Sequence, residues 1–161
     1  MGTIKVVILV TGLLLTFTVP GPTVRGQAGG VQVELDLNKA QYSVGDSVKI
    51  RLTLTNRSMS SATFQFTTGQ LCDFMVSRDG HLVWQWSYGR AFTQAFTTLT
   101  LMPNDSKVFN EFWDQRDARG QQAPAGEYEM MAVFPAGEVG VVVPNQHDIL
   151  RVRFAIVGGS R

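Results

Sequence analysis

Alternation of apolar and polar residues along successive short segments is the feature that most constrains how this chain can fold. Every second residue of Val31–Leu37 is apolar, and the same period of two recurs in Ser47–Asn56. Alternate side chains of a strand point to opposite faces, so each segment is predicted to bury one face. A chain of 161 residues has room for one domain, and this pattern predicts that the domain is built from strands.

Further short apolar segments, separated by turn residues, extend the pattern to a predicted seven to nine strands. The dipeptide Asp79-Gly80 between two of these segments strongly indicates a β-hairpin. No segment shows the periodicity of an amphipathic helix. The spacing predicts an all-β, immunoglobulin-like antiparallel β-sandwich, with a closed barrel as the alternative. The remaining predicted strands are Thr63–Phe66, Cys72–Ser77, Leu82–Trp86, Phe96–Leu101, Lys107–Trp113, Gly126–Phe134 and Ile149–Val157.

The N-terminal segment, residues 1–28, is predicted to be a secretory signal peptide. A basic residue precedes the uncharged apolar run Val6–Val19, and the small residues Gly26 and Ala28 suit a cleavage after Ala28. The run is shorter than the roughly 20 residues that a membrane-spanning helix needs, so membrane attachment is expected only if the leader stays uncleaved. The mature domain is therefore predicted to span residues 29–161 and to be exported, into the periplasm or out of the cell.

The balance of charges and the lack of nucleotide-binding motifs limit the classes of function. The chain has 14 basic and 13 acidic residues, for a formal net charge of +1. Nucleic-acid binding needs a clustered basic surface, so no nucleic-acid partner is expected. The sequence contains neither a phosphate-binding loop nor a dinucleotide fingerprint, and no cofactor is expected.

Few residues of this chain suit a catalytic or metal site. The only histidines, His81 and His147, are predicted to lie in exposed loops, and no serine has the G-x-S-x-G context of a nucleophile elbow. Asp114 and Asp117 share one loop, which lacks the dense acidic spacing of an EF-hand. The sequence therefore predicts a protein that is not an enzyme and has no metal site.

Cys72 is the only cysteine, so an internal disulfide is impossible and the core must hold the fold. We expect Cys72 to be a small buried hydrophobic residue. An intermolecular disulfide or a reactive thiol is the alternative.

Two Asn-x-Ser sequences begin at Asn56 and Asn104, both in predicted turns. They would accept glycans only in a eukaryotic secretory pathway.

Four segments of the mature chain share a distinctive order and spacing. They read VGDSVKIRLTLTNRS, FQFTTGQLCDFMVSRDGHLVWQWSYGRAFTQAF, TLMPNDSKVFNEFWD and AGEYEMMAVF. From Ser47 to Phe134 the chain resembles the BsuPI-type domain, a family named for an intracellular proteinase inhibitor. The resemblance implies an immunoglobulin-like sandwich that inhibits serine proteinases. It points to no particular reactive-site residue, and the family's usual aromatic residue two places after Gln70 is replaced by Cys72.

The most distinctive residues of the resemblance have a structural interpretation. Trp84 and Trp86 are two positions apart, so both indole rings are predicted to lie on one face of a strand. Asp73 is expected to cap a turn or to accept backbone hydrogen bonds. Trp113 is expected to pack in the core.

Two exposed loops are candidates for contact with a partner protein. An inhibitor needs a rigid exposed loop that enters the enzyme cleft in an extended form. The first loop offers Arg57, Ser58 and Met59, and the second offers Tyr88 and Arg90. The expected partner is a protein, and the resemblance implies a serine proteinase. A non-inhibitory interaction module of the cell envelope is the alternative, since one fold hosts many functions.

Overall fold

The computed structural model describes residues 20–28, 30–134, 137–138 and 150–158. These residues form twelve β-strands and no α-helix, which confirms the predicted all-β fold. Within them, no helix is long and apolar enough to cross a membrane. The strands are β1 (Thr23–Ala28), β2 (Val31–Leu37), β3 (Gln41–Ser43), β4 (Val48–Asn56), β5 (Ala62–Phe66), β6 (Asp73–Arg78), β7 (His81–Gln85), β8 (Thr97–Leu101), β9 (Ser106–Trp113), β10 (Gly126–Val133), β11 (Gly137–Glu138) and β12 (Leu150–Val157).

The strands are arranged in three sheets. The first has the order β1-β2-β4-β9, the second β3-β12-β10-β6-β7, and the third β11-β5-β8. Paired strands in the described residues are antiparallel, except that β3 runs parallel to β12. Side chains from all three sheets join one buried hydrophobic cluster, as expected of a sandwich.

Each of the nine segments predicted to be strands forms one, with bounds that differ by at most one residue at either end. The total of twelve exceeds the predicted seven to nine because β1, β3 and β11 were not predicted. Strands β3 and β11 are too short to show an alternating pattern, and β1 lies in residues that the sequence assigned to the leader.

Strand β4 shows how the alternating pattern places the core. Its residues alternate between buried and more accessible positions along their length. The inward side chains come from Val48, Ile50, Leu52 and Leu54, which confirms the predicted faces. On the outer face, Arg51 donates from Nε to Oδ1 of Asn110 on β9 at 3.3 Å.

Trp113 joins the two larger sheets. Its side chain on β9 is completely buried, as the sequence predicts. The ring lies 6.2 Å from Trp84, 5.8 Å from Tyr128 and 6.3 Å from Phe154, measured between centroids. These three partners lie on β7, β10 and β12 of the opposite sheet. The indole Nε1 donates to the carbonyl of Arg116 at 2.7 Å, so burial leaves no unsatisfied donor on Trp113.

The predicted Asp79-Gly80 hairpin connects β6 to β7. Both turn residues have positive φ, 51° at Asp79 and 78° at Gly80, as a type I′ turn requires. No atom lies within 4 Å of a Cβ placed on Gly80, so glycine is favoured there by backbone conformation and not by space. A register shift between Val76 and Ser77 interrupts the ladder of this hairpin.

Strand β1 covers one edge of the first sheet. All six of its residues pair with β2. Val24 packs against the core, and Arg25 forms an ion pair with Glu34 on β2. Cleavage after Ala28 stays a prediction, and the apolar run at residues 6–19 lies outside the described residues. The mature chain keeps β1 only if cleavage falls before Thr23.

Candidate functional site

The loop between β4 and β5, residues 57–61, is held by the buried side chain of Asn56. Its Nδ2 donates to the carbonyls of Ser60 at 2.7 Å and Leu101 at 2.9 Å. Its Oδ1 accepts from the backbone N–H of Ser58 at 2.9 Å and from the hydroxyl of Ser58 at 2.7 Å. The side chain thus uses two donors and two acceptor positions, which is the full capacity of an amide.

Backbone hydrogen bonds fasten the same loop to two neighbouring turns. Arg57 donates from its N–H to the carbonyl of Gly30, between β1 and β2, at 3.0 Å. Asn104, in the turn between β8 and β9, donates to the carbonyl of Asn56 at 2.8 Å. These two bonds fix the start of the β4–β5 loop, and the bond from Asn56 to the carbonyl of Ser60 holds its far end.

Met59 lies at the tip of this loop and is 99% exposed. An apolar side chain in that position loses its contact with water only if a partner covers it. The chain bends at residues 58–60. The loop therefore presents one projecting side chain, with the exposed Arg57 and the half-buried Ser58 beside it.

Asp73 anchors the start of the second candidate loop. Its Oδ1 accepts from the backbone N–H groups of Phe74 at 2.9 Å and Ser87 at 3.1 Å. Its Oδ2 accepts from Nε2 of Gln85 and from the hydroxyl of Ser87, both at 2.6 Å. The two bonds from the Phe74 and Ser87 N–H groups confirm that Asp73 accepts backbone hydrogen bonds. All four bonds together fix the chain where β7 ends.

Residues of the segments that carry the family resemblance also lie in contact around this loop. Gly69 donates from its N–H to the carbonyl of Thr93 at 3.0 Å. A Cβ on Gly69 would lie 2.4 Å from Oγ1 of Thr93, so a larger residue would force the Thr93 side chain to shift. Motif residues that are more than 20 positions apart in the sequence therefore support one loop.

Trp86 and Arg90 form a stacked pair in the second candidate loop. The guanidinium of Arg90 lies 4.3 Å from the centroid of the Trp86 ring. Trp86 packs edge-on against Phe74, which confirms that it shares the inward face with Trp84. Tyr88 is 72% exposed beside them. The Arg90 side chain thus already contacts Trp86 of the same loop, whereas the Tyr88 side chain is mostly exposed to solvent.

Cys72 is buried just before β6, as the sequence predicts. Burial raises the pKa of its thiol to about 12, and the nearby carboxylates of Glu111 and Asp73 add to the effect. Since the thiolate is the reactive form, this environment disfavours the alternative of a reactive thiol.

The acidic residues of the β9–β10 connection mainly organise their own loop. Asp114 accepts from the N–H of Arg116 at 3.1 Å, and Asp117 accepts from the N–H groups of Arg119 and Gln121 at 2.9 and 2.8 Å. No group of three or more metal-ligating side chains occurs in the part of the chain that the structure describes.

Of the two histidines, only His81 lies in the described residues, and it is outside both candidate loops. His81 is exposed at the start of β7. His147 lies outside the described residues.

Two buried polar residues act as structural anchors that the sequence does not reveal. The sequence marks Asn56 as a glycan acceptor, yet its side chain is buried and fully hydrogen-bonded. Gln115 accepts at Oε1 from the N–H of Gly45 at 2.8 Å and donates from Nε2 to the carbonyl of Ser43 at 2.9 Å. Their distant partners are Leu101 for Asn56 and Ser43 and Gly45 for Gln115, which no local pattern reports. Only the Asn-x-Ser pattern at a strand end hints at the local turn that Asn56 forms with Ser58 and Ser60.

A sequence comparison with protein families identifies the domain. Residues 35–139 match the BsuPI family, whose description is intracellular proteinase inhibitor. The chain belongs to the BsuPI family. The resemblance based on the four sequence segments is thereby confirmed. No curated protein sequence matches the chain.

The BsuPI match begins inside β2 and ends just after β11, so β1 and β12 lie outside it. Both candidate loops and their anchors, Asn56 and Asp73, lie within it. The family therefore covers every residue of the candidate sites.

The solved structures to which this BsuPI domain is similar match it at low identity and low TM-score. A β-glucosidase from Erythrobacter marinus is 19% identical with a TM-score of 0.41, over 84% of this chain and 16% of the enzyme. A β-glucosidase from Listeria innocua is 12% identical with a TM-score of 0.44, over 80% of this chain and 16% of the enzyme. The CARDB domain of a Pyrococcus furiosus protein, solved with di-metal ions, is 16% identical with a TM-score of 0.43, over 78% of this chain and 90% of that domain. The BsuPI chain thus spans about one sixth of the length of the two enzymes.

Proposed function

We propose that this chain is an exported, non-enzymatic inhibitor of a serine proteinase, and that Met59 enters the primary pocket of the enzyme. Membership of an inhibitor family supports the activity. The observation that carries the choice of residue is the complete exposure of Met59 on a loop braced by Asn56.

A braced loop binds at lower entropic cost than a mobile one. The bonds from Asn56 and from the neighbouring turns fix the backbone on both sides of Met59 before any enzyme arrives. Burying the methionine side chain in an apolar pocket contributes about 1.5–3 kcal/mol. An unbranched thioether side chain adapts to apolar pockets of different shape, so the expected targets are proteinases that prefer apolar residues.

The second loop is the less suitable reactive segment. Arg90 would have to leave the face of Trp86 to enter a pocket, which costs about 0.5–1 kcal/mol at an exposed site. Tyr88 is exposed but lies where two turns overlap, since its N–H donates to the carbonyl of Gln85 and the N–H of Arg90 donates to the carbonyl of Ser87. Variants at Tyr88 therefore serve as matched controls for those at Met59.

Residual proteinase activity measured against increasing amounts of purified chain tests the inhibitor proposal. Subtilisin, chymotrypsin and trypsin form the panel, with inhibitor at micromolar concentration. We expect inhibition of at least one enzyme with an apolar pocket, a loss of about tenfold or more in Met59→Ala, and little change in Tyr88→Ala.

Two outcomes of this assay would contradict the proposal, in whole or in part. No inhibition of any enzyme would overturn the proposal and favour the non-inhibitory envelope module. Inhibition that Met59→Ala leaves intact while Tyr88→Ala removes it would move the contact to the second loop.

Export has its own test, because it rests on the apolar leader and not on the inhibitory loop. The expected result is an N-terminus at Gly29 in chain recovered from the exported fraction. An N-terminus before Thr23 would keep the export proposal and retain β1. Full-length chain confined to the cytoplasm would overturn it.

A further inference from the structure

A small pocket lies between the segment that leaves β7 and the connection from β9 to β10. Its volume is about 330 Å³, at the lower end of the range for small-molecule sites. Trp84, Trp86 and Tyr88 supply aromatic surface on one side. The other side is formed by the β9–β10 connection, from Asp114 to Gly120. A ligand of this size has one or two rings.

Four charged side chains line this pocket without neutralising one another. Arg90, Arg116, Asp114 and Asp117 all contribute to the lining. The ion pairs within 4 Å among the described residues include none between these four. Opposite charges that share a pocket but remain apart leave both donors and acceptors for a ligand.

The hydrogen bonds that these charged groups do make leave part of each group available. Asp114 and Asp117 accept through Oδ1 only, so among the described residues Oδ2 of each has no hydrogen-bond donor. Arg116 donates from Nη1 to the carbonyl of Gly120 at 2.8 Å, and no described residue accepts from its other guanidinium nitrogens. The guanidinium of Arg90 stacks on Trp86 and likewise has no described acceptor.

Trp86 adds an unsatisfied donor. Its Nε1 is the one buried side-chain nitrogen or oxygen, among the described residues, that lacks a hydrogen-bond partner. Leaving a buried donor unpaired costs about 1–3 kcal/mol, so a ligand hydroxyl or a water that reaches Nε1 would recover that cost.

From these features we infer that the pocket binds a neutral saccharide. Sugar hydroxyls donate and accept at once, which suits carboxylates and guanidinium groups that are held apart. The apolar face of a sugar ring can lie against the exposed Tyr88 and the partly buried Trp84. The four charges of the lining cancel, which favours a ligand without net charge. The site is separate from the Met59 loop, so the inference stands without the inhibitor proposal.

Tryptophan fluorescence of the full chain, titrated with cellotriose, chitotriose and maltotriose up to about 10 mM, tests the inference. Trp84 and Trp86 line the pocket and report on its occupation. One or two rings of a trisaccharide are expected to occupy the pocket while the rest extends into solvent, and we expect a saturable change with at least one of the three sugars. Asp114→Asn should raise the Kd about fivefold or more while keeping the Oδ1 that accepts from Arg116.

Two further variants separate binding from folding. Trp86→Phe removes the Nε1 donor, and we expect a Kd raised about fivefold, while the exposed change Asp79→Asn at the distant hairpin should leave the Kd unchanged. If Trp86→Phe fails to fold, the Kd of Asp114→Asn for the sugars still tests the inference.

The inference is overturned if none of the sugars gives a saturable change. It is equally overturned if Asp114→Asn binds like the wild type. Phenylalanine, titrated in parallel as a zwitterionic ring, would reassign the pocket if it bound while the sugars did not.

Discussion

Asp73 accepts two hydrogen bonds from Ser87, one from its backbone N–H at 3.1 Å and one from its hydroxyl at 2.6 Å. The contact joins the start of β6 to the residue after Trp86, across 14 positions of sequence. Because Asp73 is almost fully buried, these bonds form in a region of low dielectric, where they are stronger than in water. The pair therefore fixes where the β7–β8 loop leaves the sandwich.

Replacing Asp73 by Asn should destabilise the fold. The new amide would turn one acceptor into a donor that faces Nε2 of Gln85, itself a donor. We expect a loss of about 2 kcal/mol in the free energy of unfolding, measured by urea titration. The matched change Asp79→Asn lies in an exposed turn that accommodates asparagine, and it should stay within about 0.5 kcal/mol. Equal losses in both variants would contradict the role given to Asp73.

Replacing Asn56 by Ala should loosen the Met59 loop. The substitution leaves the carbonyls of Ser60 and Leu101 without their donor, and we expect a loss of about 2 kcal/mol or more. Proteinase inhibition should weaken by more than the loss of folded protein accounts for, because a mobile loop loses more conformational entropy when it binds. Asn110→Ala, at an exposed position of β9, is the control. Full inhibition by folded Asn56→Ala would show that inhibition does not depend on the hydrogen bonds from Asn56.

Stability should fall at alkaline pH. Burial raises the pKa of the Cys72 thiol from its ordinary value of 9.0 to about 12 and that of the Tyr42 hydroxyl from 10.0 to about 12. In the unfolded chain both groups lose their protons at the lower values, while the folded chain keeps them. This contribution to stability is complete below about pH 9 and decreases as the pH rises toward 12, by up to about 1.4 kcal/mol per unit for each group.

Urea unfolding at several pH values measures this slope. The variant Cys72→Ala should show a flatter dependence just above pH 9, where the thiol of the unfolded chain titrates first. A slope that is unchanged in this variant would exclude Cys72 as a cause.

Oxidation of Met59 should abolish inhibition before it affects folding. Its side chain is far more exposed than that of Met102, which is 56% exposed. Sulfoxide formation makes the side chain polar, so it no longer suits an apolar pocket. Brief peroxide treatment followed by mass spectrometry and proteinase assay checks this order. The variant Met59→Leu should inhibit and resist peroxide, and loss of inhibition in oxidised Met59→Leu would place the sensitive residue elsewhere.

The sequence predicts the strands that carry their own pattern. Strand β4 alternates over its whole length, so its inward residues follow directly from a period of two. Strand β3, by contrast, has three residues and pairs with Ala155–Val157 far along the chain. No local pattern reports such a pairing. Strand β1 is not predicted because its residues belong to the predicted leader. The composition of a leader does not show whether its last residues pair with β2.

The candidate sites were predicted only in part. Exposure of Met59 and Tyr88 follows from their place in polar loops. The stacking of Arg90 on Trp86 and the anchoring by Asn56 depend on contacts between distant segments, which composition and spacing do not encode. The pocket beside Trp86 needs two loops to meet, and so it emerges only from the folded structure.

Inhibition constants of the wild type and of Met59→Arg, measured against trypsin and against an apolar-pocket proteinase that the wild type inhibits, test the central claim most directly. If Met59 enters the primary pocket, the substitution should strengthen inhibition of trypsin and weaken inhibition of the other enzyme, each by about tenfold or more. Constants that stay the same for both enzymes would contradict the claim that Met59 is the residue that the proteinase binds.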